Sequence, residues 1–101
     1  KSTVIIRPSY KLKPHTSDRL IERLAKRLRL QVFYTMEKDR NDELYHLHLL
    51  LNRNIADKQI CMATGLNPKA VKYNESIYTK QAISGYILKH LNREYSHHNL
   101  F

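Results

Sequence analysis

The run Leu44-Tyr45-His46-Leu47-His48-Leu49-Leu50-Leu51 constrains this chain more than any other stretch. Side chains in a β-strand alternate between faces with period two. As a strand, this run puts His46 and His48 on one face and Leu47, Leu49 and Leu51 on the other. The leucine face demands a core. The other face offers two imidazoles side by side, and the rest of the chain must supply whatever lies opposite them.

The preceding segment, Gln31–Glu37, has the β-branched and aromatic content of a strand. The polar stretch Lys38–Glu43 between the two reads as a turn, which makes a hairpin. A two-residue loop at Asn41-Asp42 pairs Arg40 with Glu43 and Glu37 with His46, because Asn and Asp tolerate the positive φ such turns need. In that register Phe33, Thr35 and Glu37 share the face of Leu44, His46 and His48. Val32, Tyr34 and Met36 share the face of Leu47, Leu49 and Leu51. A slip by two residues preserves the same segregation.

Around the hairpin, Thr3–Arg7 reads as a first strand ended by Pro8, which lacks an N–H. Residues Ser9–His15 form a basic loop. A helix follows, capped by Thr16 or Ser17, with Asp18 in its first turn and Leu20, Ile21, Leu24 and Leu28 along one stripe. Ile55–Thr64 reads as a second helix closed by Gly65. Asn67-Pro68 is a turn and Ala70–Asn74 a last short strand. From about Ser76 or Ile77 to Leu91 a third helix is expected, and Asn92–Phe101 reads as a flexible tail. The order β-α-β-β-α-β-α predicts one α+β domain over residues 1–101. Its first six elements match the ferredoxin-like, RRM-like βαββαβ sandwich with an antiparallel sheet. An additional C-terminal helix carries Tyr86. Two helices cover the leucine face and leave the histidine face open.

Composition narrows the partners. Lys and Arg number 18 against 9 Asp and Glu, a net charge of +9. That excess favours a polyanion, nucleic acid before membrane. No apolar run approaches the ~18 residues of a membrane span, and Val4-Ile5-Ile6 is too short for the core of a signal peptide. The single cysteine, Cys61, permits no internal disulfide, which suits a reducing compartment such as the cytoplasm. With only Gly65 and Gly85, the chain carries neither a phosphate-binding P-loop nor a dinucleotide fingerprint.

Two constellations carry chemistry. Glu37, His46 and His48 offer one carboxylate and two imidazoles, a set suited to a divalent ion, Mn²⁺ or Mg²⁺, with imidazole favouring Mn²⁺. Three protein ligands leave positions open for phosphate oxygens. His-x-His alone is more often a pair of surface histidines, and Glu37 in matching register, with the basic charge of the chain, is what tips the balance toward metal. Tyr86 and Lys89, at i and i+3 on the third helix, share a face. A phenol of pKa ~10 becomes a nucleophile only where its oxyanion is favoured, by an ammonium or a metal-bound phosphate. Gly85 beside it would let a backbone approach closely. Tyr78 is the rival nucleophile, and each tyrosine also has the plainer reading of a packed side chain.

Glu37, then His46-Leu47-His48, then Tyr86-Ile87-Leu88-Lys89 on a helix resembles the HUH endonucleases. The likeness is greatest to the Rep proteins that start rolling-circle replication of viruses and plasmids. It spans residues 33–91, and the βαββαβ plan extends it to the whole domain. The order of motifs excludes the relaxases, whose tyrosine precedes the histidines. Single-tyrosine transposases share the order but usually carry glutamine where this chain has Lys89. The family's first motif has no counterpart in Thr3–Tyr10.

The resemblance implies a metal-dependent, site-specific nickase and ligase of single-stranded DNA working through a 5′-phosphotyrosine. Metal is expected at Glu37, His46 and His48, with Tyr86 as nucleophile and Lys89 near the phosphate. Arg7, Lys11, Lys13, Lys72 and Arg93 are candidates for the DNA backbone, and Tyr10 or Tyr73 for base stacking. The implied partners are an origin hairpin or nick site in single-stranded DNA and a separate helicase, with a homodimer allowed and no membrane. The implied compartment is the cytoplasm, or the host nucleus for a eukaryotic virus. The alternatives are a transposase of the same superfamily and a non-catalytic single-stranded nucleic-acid-binding module of RRM-like fold.

Overall fold

A computed structural model describes residues 1–9, 11–38, 45–77 and 97–101. In chain order its elements are β1 (Ser2–Ile6), α1 (Pro14–Leu28), β2 (Val32–Lys38), β3 (Tyr45–Leu51), α2 (Asp57–Thr64), a 3₁₀ turn (Pro68–Ala70), β4 (Val71–Ser76) and β5 (His97–Leu100). The strands form one sheet in the order β4-β1-β3-β2-β5, antiparallel at every step. β1 and β2 both flank β3, so they run parallel and α1 is their crossover. β3 and β4 both flank β1, with α2 as theirs. This interleaving gives a small α+β domain compatible with a ferredoxin-like plan.

The helices cover one face of the sheet. Val4 and Ile6, Val32, Tyr34 and Met36, and Leu47, Leu49 and Leu51 join Ile21 and Leu24 of α1 and Ile60 of α2 in a single buried cluster. The two-residue alternation therefore segregates as the leucine run requires. The β2–β3 register pairs Glu37 with His46, Thr35 with His48 and Met36 with Leu47, which is the expected pairing, without the two-residue slip. The turn residues themselves, with Leu44, lie outside the described residues.

Several boundaries differ from the sequence reading. α1 starts at Pro14, ahead of the Thr16 or Ser17 cap, because proline's fixed φ and missing N–H suit the first helical position. Ser17 is instead buried inside the helix, its hydroxyl against Met36 Sδ at 3.6 Å. α1 closes on Arg29 in the left-handed region, φ 52°, a conformation costing a non-glycine residue about 1 kcal/mol. α2 closes on Gly65, φ 74°, as its sequence position predicts. β4 runs on to Ser76, and Ile77 N–H donates to Lys1 O at 2.8 Å. The expected third helix thus cannot begin at Ser76, and its remainder from residue 78 lies outside the described residues.

The clearest correction concerns the tail. Residues 97–101, expected to be flexible, pair with β2 through Met36↔His97 to Phe33↔Leu100. Phe101 and Val32 then exchange two backbone hydrogen bonds of 2.8 Å. A polar strand forms here because an edge position asks mainly for backbone pairing, and because three side chains anchor its core-facing side. The Phe101 ring stacks on Tyr34, with centroids 6.3 Å apart and 11° between planes. His97 Nε2 lies 2.7 Å from Asp18 Oδ1, and Asn99 also hydrogen-bonds that carboxylate. Residues 92–96 lie outside the described residues. No described helix is long and apolar enough to cross a membrane.

Candidate metal centre

The face of the sheet away from the helices carries a row that crosses all five strands. Tyr73 of β4, Ile5 of β1, His48 of β3, Thr35 of β2 and His98 of β5 are successive cross-strand partners. The neighbouring pair is Glu37 with His46. Strand period two places Glu37, His46 and His48 on this face. Their long side chains then meet over the β2–β3 seam, because directly opposed residues stand close together.

The three ligand-bearing atoms form a nearly equilateral triangle. Glu37 Oε2 is 3.1 Å from His46 Nε2 and 3.1 Å from His48 Nε2. The two imidazole nitrogens are also 3.1 Å apart, with the rings tilted 54° to one another and centroids separated by 4.9 Å. Hydrogen bonds to the carboxylate can account for two edges of this triangle. The two nitrogens also stand within hydrogen-bond distance of each other, with donor and acceptor set by the tautomers, and a cation held by all three atoms would give the same convergence. Adjacent ligands of an octahedral ion with bonds of about 2.1 Å stand about 3.0 Å apart, and the observed spacing fits that set. Side-chain exposures of 11–15% show a site mostly withdrawn from solvent. Among the described residues this is the one cluster of three His, Cys, Asp or Glu donors gathered closely enough to hold an ion.

Thr35 sits within the same face, directly opposite His48. It is 1% exposed, and among the described residues its hydroxyl has no hydrogen-bond partner. Sequence reading put Thr35 on this face but found no role for it.

The structure distributes the remaining candidates unevenly. Arg7 and Lys72 come together, with Lys69 added, around a cleft of about 420 Å³ that also includes Pro8, Asn67 and Gly65. Among the described residues, Arg7, Lys69 and Lys72 are the charged groups that line it. Extending the β1–β3 register one step past Ile6↔Leu47 would bring Arg7 across from His46. Lys69 was missed because a lone lysine in a turn carries no pattern. Lys11 and Lys13 are exposed between β1 and α1 and line no described site. Tyr73 is exposed on the open face, and its hydroxyl donates to Glu75 Oε2 at 2.7 Å, which pushes its pKa up. Tyr10, Tyr86, Lys89 and Arg93, with the rival Tyr78, lie outside the described residues. Cys61 is buried, and burial, then Asp57, pushes its thiol up, away from nucleophilic use.

A second polar cluster lies on the helix side of the sheet. Tyr34 OH donates to Asp18 Oδ1, which His97 Nε2 also meets. Burial alone would raise the Asp18 carboxyl. Hydrogen bonds from Tyr34, His97 and Asn99 outweigh it and hold the group below the ordinary aspartate value. Burial, with Asp18 beside it, pushes Tyr34 far above the usual phenol value. This cluster clasps β5 to α1.

Comparison of the chain with protein-family models, curated proteins and solved structures returns no match. Its function must be inferred from its own residues.

Proposed function

We propose that this chain is a ferredoxin-like catalytic domain of the HUH endonuclease type. On this reading it nicks and rejoins single-stranded DNA through a covalent tyrosine intermediate, as a rolling-circle replication initiator does. The observation that carries the reading is the 3.1 Å triangle of Glu37, His46 and His48. It is joined to a sheet order that leaves those residues on the face opposite both helices. The basic cleft of Arg7, Lys69 and Lys72 supports a polyanionic substrate.

Glu37, His46 and His48 would hold the ion, Mn²⁺ or Mg²⁺. When bound, it supplies polarisation of a phosphate oxygen and offsets charge that builds during displacement. Tyr86 is the assigned nucleophile. Its phenolic oxygen attacks the scissile phosphorus in line, the bond to the 3′ oxygen breaks, and that oxygen takes a proton. The products are a 5′-phosphotyrosine and a free 3′-OH. The covalent link conserves the phosphodiester, so attack by a 3′-OH rejoins the strand and frees Tyr86. Lys89 offsets developing negative charge at the phosphate. Arg7, Lys69 and Lys72 hold the flanking backbone, and Tyr73 stacks a base.

The test is capture of a labelled single-stranded oligonucleotide in Mn²⁺, read as a shifted band that survives denaturation. Tyr86→Phe is expected to abolish the adduct while oligonucleotide binding survives, and EDTA to abolish it in the parent protein. An adduct that persists in Tyr86→Phe moves the nucleophile elsewhere, with Tyr78 next. A second reading, a non-catalytic single-strand-binding module, draws on Tyr73 and Phe33 standing on the same open face. Binding without cleavage in any divalent metal supports it instead.

A further inference from the structure

Thr35 is an anomaly that the fold does not resolve. A β-branched residue suits the middle of β2, and valine would fill the same space. Threonine brings a hydroxyl that is shut away from water at 1% exposure and meets no hydrogen-bond partner among the described residues. Buried polar groups are nearly always paired, so an unpaired one calls for a partner that arrives later. The core face cannot supply it, because Val32, Tyr34 and Met36 point there and Thr35 does not. Its neighbours across the sheet are His48 on one side and His98 on the other, with Glu37 two residues along its own strand.

We propose that Thr35 is a positioning residue of the metal centre, its hydroxyl hydrogen-bonding an oxygen ligand, water or phosphate, held by the ion beside His48. This rests on the metal reading of Glu37, His46 and His48. Opposed residues hold their Cβ atoms about 5 Å apart. His48 Nε2 is directed at Glu37, so the hydroxyl's task falls on the non-protein ligand. Without metal the hydroxyl is a burden on the fold. With metal it aligns the oxygen that must exchange for the scissile phosphate, as outer partners of metal sites do.

The reading separates stability from affinity, which a purely structural threonine does not. Thr35→Val replaces the hydroxyl by a methyl of like shape. In EDTA it is expected to melt at the parent temperature or above. In calorimetry it is expected to bind Mn²⁺ about tenfold more weakly than the parent. Thr35→Ser and Thr35→Ala both lose the methyl and differ only in the hydroxyl. Ser is expected to bind Mn²⁺ about tenfold more tightly than Ala. Equal Mn²⁺ affinity in Thr35→Val and the parent, or in the Ser and Ala variants, overturns the proposal and leaves the metal site standing. A parent protein that binds no Mn²⁺, or one whose affinity survives His46→Ala, overturns the metal reading and the Thr35 role together.

Discussion

Asp18 shows how much of this protein turns on single side chains whose partners are far away in sequence. Its place in the first turn of a helix suggests a favourable charge near the N-terminus. In the fold it gathers Tyr34, His97 and Asn99, and their hydrogen bonds hold its carboxyl below the ordinary value despite burial. A lowered folded pKa means that the ionised form contributes stability above the unfolded value, about pH 4. That stability is lost as pH falls through the lowered folded value. Asp18→Asn is therefore expected to lose about 1–2 kcal/mol at pH 7, with the gap to the parent closing in acid. Urea unfolding from pH 7 to pH 3 measures it. A gap that stays constant over that range removes the charge from the explanation. Thr35 makes the converse point. Its face was readable from strand parity, but its unpaired state was not, because burial and hydrogen bonding belong to all five strands at once.

Among the elements, the β2–β3 hairpin was the most legible and β5 the least. The hairpin segregates Val32, Tyr34 and Met36 with Leu47, Leu49 and Leu51, while Leu50 falls on the other face opposite Phe33. A one-residue slip would turn His46 and His48 into the core. β5 carries no such pattern: His97, His98 and Asn99 are polar, and an edge strand is held largely by main-chain bonds that composition does not encode. Its anchor is Phe101, stacked on the fully buried Tyr34. Phe101→Ala is expected to cost about 1–2 kcal/mol, since the ring is only half-buried. The urea midpoint should fall with an unchanged slope. A midpoint equal to the parent's means that backbone pairing alone retains the strand.

For the molecule as a whole, the excess of nine positive charges sets a long-range field, and the fold concentrates part of it in one cleft. Arg7 comes from the end of β1, Lys69 from the 3₁₀ turn and Lys72 from β4, and they meet around one cleft. If these groups neutralise phosphates, affinity for a single strand falls with salt by about 0.7 logarithmic units per contact. Lys69→Ala with Lys72→Ala is then expected to reduce the salt slope by about 1.4. Fluorescence anisotropy of a labelled oligonucleotide across a salt series measures it. An unchanged slope places the strand on another face.

What the sequence determined by itself is what short-range periodicity can carry. The alternation through Leu51 dictates the strand and its two faces, and the same parity on Gln31–Glu37 brings Glu37 opposite His46. The net charge of +9 favours a polyanionic partner. The rest required the tertiary structure, because it depends on residues distant in the chain meeting at one place. The sheet order set His48 between Ile5 and Thr35, folded residues 97–101 back as an edge strand, and closed three donor atoms to 3.1 Å. Strand parity says which residues face one way. Only packing says how closely their atoms converge, and it is that convergence which turns two histidines on a strand into a candidate metal centre.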